Sequence, residues 1–353
     1  MSAPAIAVPL VLRPHVITRR AVASWVTYDL ANTIFSMGVV STYFSQYIRE
    51  DVGADRADAA YGTVSAISMA IIFFVSPLLG GMTDRAPRRM PFLVFSTIVC
   101  VGLTAILGTV GYRASLVAFI FANATYQAGL QFYDAMLPDV TTEENRGRIG
   151  GMGVGIGYLG SYIAISLGMV LGTRDLPRLF MAIAGTFLLF SLPCFFFVRE
   201  RGNATPRAVF SWRETVISTR TTITTLREGH KYPGLLRFLV GRVFYTDAIN
   251  TVISIMFLYT LNVAEASGLS AADGSRTGLR IMMVAITFAV IGGFAWGWLV
   301  DRIGPKRTLN IVLAWWMGTF VAAAAMGLLH LPLWLFFVVA SSAGIALGGV
   351  WAA

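Results

Sequence analysis

Two short polar faces repeat in an otherwise apolar chain, and both have the residue types that handle a proton or a polar solute. Asp29, Asn32 and Ser36 stand at i, i+3 and i+7, and Asp247, Asn250 and Ser254 repeat the pattern. That spacing puts each trio on one face of a helix. A carboxylate inside a bilayer is costly, so it should face protein or a water-filled cavity, and it is a functional candidate by default. Either the aspartates line a cavity and exchange protons, or each bonds a neighbouring helix and locks the packing. Asn123, Gln127, Gln131 and Asp134 form a third stripe at i, i+4, i+8 and i+11. Four such groups would be expensive against lipid, so they should line water or solute; for Asp134, near the inner end, a solvated position serves equally well. Arg242 is the one Lys or Arg deep within an apolar run and needs a counter-charge. Asp29 or Asp247 could supply it in a pair that responds to protonation, or Arg242 sits in a structural salt bridge or snorkels to the nearby surface. Tyr28 and Tyr245, beside the aspartates, would shape a pocket.

The elements that must hold these residues are membrane helices. Of 353 residues, 56% are hydrophobic and 13% charged, against about 25% charged in soluble domains, and the mean hydropathy is +0.70. Runs of about 20 apolar residues, enough to cross the hydrocarbon layer, occupy 22–48, 61–82, 90–111, 114–137, 149–171, 179–198, 235–261, 279–300, 308–330 and 332–353. The net charge of +9 would suggest nucleic acid in a soluble protein, but here it is a loop asymmetry. One set of alternating loops holds 19 Arg and Lys residues and the other 7. The positive-inside rule then puts the N-terminus in the cytoplasm and excludes a nucleic-acid partner.

The chain is internally duplicated. The polar face recurs at an offset of 218, and Gly80-Gly-Met-Thr-Asp84-Arg85 recurs as Gly297-Trp-Leu-Val-Asp301-Arg302 at an offset of 217. Duplication within an apolar chain is a common transporter construction. It divides the chain into an N-terminal half of six spans (1–199), a basic cytoplasmic linker (200–234) and a C-terminal half of four spans (235–353). Because Ala353 corresponds to Met136, the second half is expected to be incomplete. Residues 1–12 lack the order of a secretory signal and read as a cytoplasmic tail. Within the linker, 210–226 is expected as an amphipathic surface helix, and Asn262 to Gly278 as an irregular outer loop. The fifth run is crowded with glycine, and Gly155-x-Gly157-x-x-Gly160 matches a dinucleotide fingerprint as a string. That motif needs a strand before it; small residues four apart, Gly151/Gly155 and Gly153/Gly157, instead predict close helix packing. Cys100 and Cys194 read as buried packing residues. No metal ligand set, catalytic triad or Walker motif is seen, so the reading is not an enzyme, with no cofactor and no metal.

Gly-x-x-x-Asp-Arg at the inner ends of the second and eighth runs is followed by Arg88-Arg89 and Lys306-Arg307. Its glycine should admit a close neighbour, its aspartate should accept from a helix N-terminus, and its basic residues (Arg85, Arg88, Arg302, Arg307) should hold the turn at the inner surface. The motif resembles the loop signature of the major facilitator superfamily; the second copy keeps the inner glycine as Gly304, where the first has Pro87. Finer features resemble the Atg22-like (vacuole effluxer, UMF1) family. They are Ser24-Trp25-Val-Thr-Tyr28-Asp29-Leu-Ala31-Asn32, Phe132-Tyr133-Asp134-Ala135-Met-Leu-Pro138 with Glu144-Asn-Arg146-Gly147-Arg148 after it, and Phe244-Tyr245-Thr-Asp247-Ala. Asp134 stands where that family pattern has Asn.

The resemblance implies an all-α membrane bundle of two pseudo-symmetric six-helix halves, the second here cut to four. It also implies a cavity lined by the first, fourth, seventh and tenth spans, and efflux of small metabolites, amino acids foremost. The resulting expectation is a monomeric secondary transporter in the cell (plasma or inner) membrane, moving a small polar solute by alternating access with proton coupling. Asp29 and Asp247 would exchange protons or a bond with Arg242, while Asn32, Asn250, Gln127 and Gln131 hold the solute. A truncated, non-transporting remnant or interaction protein of the same fold is the alternative.

Overall fold

The computed structural model describes residues 17–86, 88–142, 146–201, 234–329 and 331–352, and among them every regular element is helical. Each of the ten apolar runs becomes a helical rod. The first is α1 (Arg19–Phe35), a π-helical stretch (Ser36–Tyr43) and α2 (Phe44–Val52) in one continuous column, capped at its start by Thr18, whose hydroxyl accepts from Ala21 N at 3.1 Å. Then come α3 (Ala54–Arg85), α4 (Met90–Ala105), α5 (Tyr112–Ala135), the single turn α6 (Leu137–Val140), α7 (Arg146–Leu171) and α8 (Leu176–Phe197). The second half comprises α9 (Leu235–Ala266), α10 (Ala271–Ile303), α11 (Pro305–Leu328) and α12 (Trp334–Ala352). Among the described residues five rods are long and apolar enough to cross a membrane by themselves, within α3, α7, α8, α10 and α11, and α9 adds a sixth as two segments bent by 47°.

The outer segment Asn262 to Gly278 is not the irregular loop expected. α9 runs on to Ala266 and α10 begins at Ala271. Gly268, at φ 81°, ends α9 as Leu269 N donates to Ala264 O at 3.1 Å, and Ser270 caps α10 by accepting from Asp273 N at 3.2 Å. A left-handed glycine followed by a Ser-x-x-Asp cap is a helix stop and start in close succession; small residues hid it. The expected linker helix at 210–226 lies outside the described residues.

Glycine sets the helix spacing in both halves. α1 lies against α7 and α8, and α10 against α12. A methyl group at Gly157 would lie 2.7 Å from Asp29 Oδ2, one at Gly160 would lie 2.2 Å from the Leu30 carbonyl oxygen, and one at Gly168 would lie 2.0 Å from the Tyr43 hydroxyl. The glycine-rich run therefore packs a helix, as expected, although Gly155 itself faces open space. In the second half, methyl groups at Gly344 and Gly348 would lie 2.0 and 2.4 Å from the Ala285 and Ala289 carbonyl oxygens. Cys100 and Cys194 are free and fully buried.

The loop-motif glycines do not behave as expected. Around Gly80 and Gly297 nothing lies within 4 Å of where a methyl would sit, so neither admits a close neighbour in this conformation; both lie near the inner helix ends, away from the contact between halves. The side chains of Asp84, Arg85 and Asp301 lie outside the described set. Arg88 and Arg307 are exposed, and the Arg302 guanidinium stacks 3.7 Å from the centroid of Trp298. The inner ends of the first half are tied by other groups. Glu200 accepts from Arg89 N and from Met90 N, the latter at 2.6 Å. Arg89 donates to Ala135 O at 2.7 Å, and Arg201 N donates to Asp139 Oδ1 at 3.2 Å.

The two halves meet toward the end of the first rod formed by α2. The Arg49 guanidinium donates to Asn262 Oδ1 and pairs with Glu265, and Asn262 Nδ2 donates to Asp58 Oδ2 at 3.3 Å. Ser275 Oγ donates to Gln46 Oε1 at 3.4 Å, Thr42 Oγ1 donates to Met282 Sδ at 3.5 Å, and Tyr162 bonds Thr287.

Candidate solute and proton pathway

The polar face of α1 turns into the first half. Asp29 is half-buried, with Oδ2 beside Gly153 and Gly157 of α7. Asn32 is 3% exposed and its Nδ2 has no partner. Ser36 donates to Thr33 O at 3.3 Å, and its neighbour Phe35 packs on the Tyr126 ring of α5 with centroids 4.8 Å apart. Tyr28 is buried, bonds Thr97 Oγ1 at 2.6 Å and stacks on Tyr133, so it is held in the interior of this half.

The α5 stripe divides along its length. Asn123 is 1% exposed and neither of its amide atoms has a partner. Gln127, half-buried, reaches Met69 Sδ at 4.0 Å, Gln131 is half-buried, and Asp134 is exposed at the inner end. Asp29 and Ser36 on α1 and its extension, and Tyr126 and Asp134 on α5, thus lie on helices joined by the Trp25–Tyr133 and Phe35–Tyr126 ring contacts. Tyr126 was missed in the sequence because an aromatic in an apolar run reads as packing, although it lies three residues after Asn123, on the same stripe.

The matching face of α9 stands apart. Arg242, Asp247 and Asn250 are exposed, Tyr245 packs at the edge of the Trp296–Trp316 cluster, and the Ser254 side chain lies outside the described set. Among the described residues Arg242 pairs with neither Asp29 nor Asp247. Residues five apart on an α-helix are turned by about 140° from each other, so Arg242 and Asp247 cannot meet on one face of α9.

Between the halves, at the middle of the helices, lies a half-open cavity of about 70 Å³. Its wall combines Met37 of the π-helical stretch and Tyr158 and Ser161 of α7 with Val252 of α9, Met282 of α10 and Trp316 of α11. None of the polar candidates belongs to this wall, and its surface is almost wholly apolar. Met37, Tyr158, Ser161 and Trp316 are cavity residues that polar-face reasoning passes over, since nothing in their types separates them from core.

A family model described as Major Facilitator Superfamily matches residues 30–353. An MFS-type transporter, YxiO, of Bacillus subtilis (strain 168) is 27% identical over 344 residues, covering 91% of this chain and 77% of that protein. A tetracycline resistance protein, class E, of Escherichia coli is 25% identical, covering 81% and 68%. Among solved structures, a D-xylose-proton symporter superposes with a TM-score of 0.62 at 16% identity, covering 94% of this chain and 80% of that one. The xylose transporter XylE of E. coli, in a partially occluded inward open conformation, gives 0.61 at 14% identity, covering 95% and 84%. Duplicated halves, an all-helical membrane bundle, a cavity at their interface and a matching family model agree, and the chain belongs to the Major Facilitator Superfamily of membrane transporters.

Proposed function

We propose that this chain carries a small solute across the membrane by alternating access, with Asp29 and Asp134 as the proton site and the inter-half cavity as the solute chamber. The supporting observation is where the halves are tied. Of the tying residues Thr42, Gln46, Arg49 and Tyr162, the first three lie toward the end of the first rod opposite the basic loops. By loop charge the end bearing those loops and the N-terminus are cytoplasmic, in the cell (plasma or inner) membrane. The chamber would then load from the cytoplasm, which favours export, and a relative that confers tetracycline resistance is compatible with that direction. Placement in the Atg22-like family and amino-acid efflux rest on the motif resemblance alone; a free amino acid brings two charges, and the cavity wall holds no charged side chain to meet them.

The test needs no known substrate. A cysteine replacing Ile253, in the cavity wall, is labelled by an impermeant maleimide in right-side-out and inside-out vesicles; the buried native cysteines stay silent. Labelling from the cytoplasmic side should dominate, with outer-side labelling rising as pH is changed. Asp29→Asn keeps the size that fits beside Gly157, so insertion and yield should hold while the pH response disappears. Outer-side labelling at no pH would leave the non-transporting remnant as the answer. A pH response that survives in Asp29→Asn would move the proton site to Asp134 alone.

A further inference from the structure

Arg276 and Arg280 are two of the seven basic residues on the cation-poor side of the bundle, and they stand together on one exposed helix face. They belong to a regular helix and not to a loop, because α10 already begins at Ala271, with Ser270 accepting from Asp273 N. Among the described residues neither has an acidic side chain within ion-pair distance, whereas Arg49, on the same side, is paired with Glu265. A cation on an apolar helix is costly unless it is paired or reaches the polar layer. Two of them four residues apart call for an anion from outside the chain.

The rest of that face says what kind of anion. At about 100° per residue, Ile291, Phe294 and Trp298 fall with the two arginines inside one arc of about 80°, and all three are exposed. Arg302 closes the arc at the far end, stacked on Trp298. Met282, Ile286 and Ala289, on the opposite side of α10, are buried. Twenty-two residues separate Arg280 from Arg302, about 33 Å of helix, which matches the roughly 30 Å of a hydrocarbon layer. The apolar arc therefore faces lipid tails, and Arg276 and Arg280 stand at the depth of the phosphates. Thr287, on the same flank, bonds Tyr162 of α7, so a chain lying here borders the junction of the halves.

We propose that this flank of α10 binds an anionic phospholipid, with its phosphodiester held between Arg276 and Arg280 and its acyl chains on Ile291 and Phe294. Residues four apart on a helix have Cβ atoms about 5–6 Å apart, so two guanidiniums can converge on one phosphate, to which arginine forms paired hydrogen bonds. A zwitterionic headgroup cancels its phosphate with its own ammonium, whereas phosphatidylglycerol keeps a net negative charge to set against the two cations. A free phosphate ion would satisfy the arginines but leave the apolar arc uncovered. On its other side α10 carries Ser275 and Met282, which meet Gln46 and Thr42 of the first half. A lipid fixed to this helix therefore bears on the contact between the halves, whatever solute the chain carries.

Native mass spectrometry of the purified full chain, titrated with dioleoylphosphatidylglycerol in a mild detergent, counts the lipids bound to each molecule. One lipid should bind ahead of the rest, and neither dioleoylphosphatidylcholine nor millimolar inorganic phosphate should displace it. Arg276→Gln and Arg280→Gln should each weaken that binding about fivefold, and the double variant about twenty-five-fold, the contribution of one cation each toward an anionic lipid. Arg113→Gln removes an exposed cation from the same side but outside this flank, and should change nothing. All three arginines are exposed, so the variants should fold, and lipid gathered at the basic loops is common to all of them and cancels. Equal binding of the two lipids, or of the double variant and the unmodified chain, overturns the proposal. Equal weakening by Arg113→Gln would mean diffuse charge, and displacement by phosphate a free-anion site; either overturns it. Dimers that dissociate in the double variant would assign the arginines to a second copy of the chain, and overturn it as well.

Discussion

Gly160→Ala will sharply reduce the yield of folded protein, whereas Gly155→Ala, one and a half turns earlier on the same helix, will not. The new methyl at 160 would sit 2.2 Å from the Leu30 carbonyl oxygen and 3.1 Å from Thr33 Cβ. A helical carbonyl cannot swing aside as a side-chain tip can, so α1 and α7 must separate. Overpacking a tight interface costs about 1–3 kcal/mol, and more where the backbone itself blocks the way. That is a large fraction of a marginal stability of about 5–15 kcal/mol. Around Gly155 there is only open space, and alanine in a helix interior gains about 1 kcal/mol over glycine. Monodisperse yield and thermal midpoint in a mild detergent distinguish the two. Equal behaviour of the variants would show that the α1–α7 interface does not depend on this approach.

Arg49→Glu is expected to open the outer side. Arg49 holds two residues of the opposite half, Asn262 and Glu265, and Asn262 in turn holds Asp58. The Arg49 side chain is 15% exposed but that of Glu265 is 64% exposed, so the ion pair alone contributes less than about 1 kcal/mol. Charge reversal does more than delete it, because a carboxylate would then stand against Glu265 and lose the bond to Asn262. A combined change of about 1.4 kcal/mol shifts the balance of conformations tenfold. Outer-side labelling of the cysteine at position 253 should therefore rise about tenfold, and a second change, Glu265→Arg, should bring it back. Unchanged labelling would remove Arg49 from the closure and leave Tyr162 to Thr287 as the main tie.

The ten rods were legible because hydrocarbon demands long apolar runs, and the glycines of α7 and the buried cysteines were legible because close packing and burial have simple residue signatures. Other features depended on partners that a sequence does not name. Gly80 and Gly297 carry the same signature as Gly160, yet nothing packs on them here. The cavity wall is apolar, so Met37 and Trp316 read as core, and attention went instead to the polar stripes of α1, α5 and α9. Arg49 and Gln46 read as ordinary charges and amides at a helix end. Only the approach of α9 and α10 gives them partners.

The π-helical stretch Ser36–Tyr43 explains why the contact stripe of the first rod escaped α-helical periodicity. Met37 lines the cavity, Thr42 bonds Met282, Gln46 accepts from Ser275, and Arg49 reaches Glu265. The step from Met37 to Thr42 is five residues, and Thr42 Oγ1 reaches Met37 Sδ at 3.7 Å. An α-helix would turn residues five apart away from each other, whereas the i to i+5 bonding of a π-helix brings them into line. The consequence is one of phase. Each α turn takes up one residue fewer than a π turn, so a single turn rewound as α would rotate α2 by about 100° and carry Arg49 off Asn262, while Asp29 and Leu30 kept their places against α7. Torsion within one column is therefore enough to unfasten its outer end without disturbing the inner one.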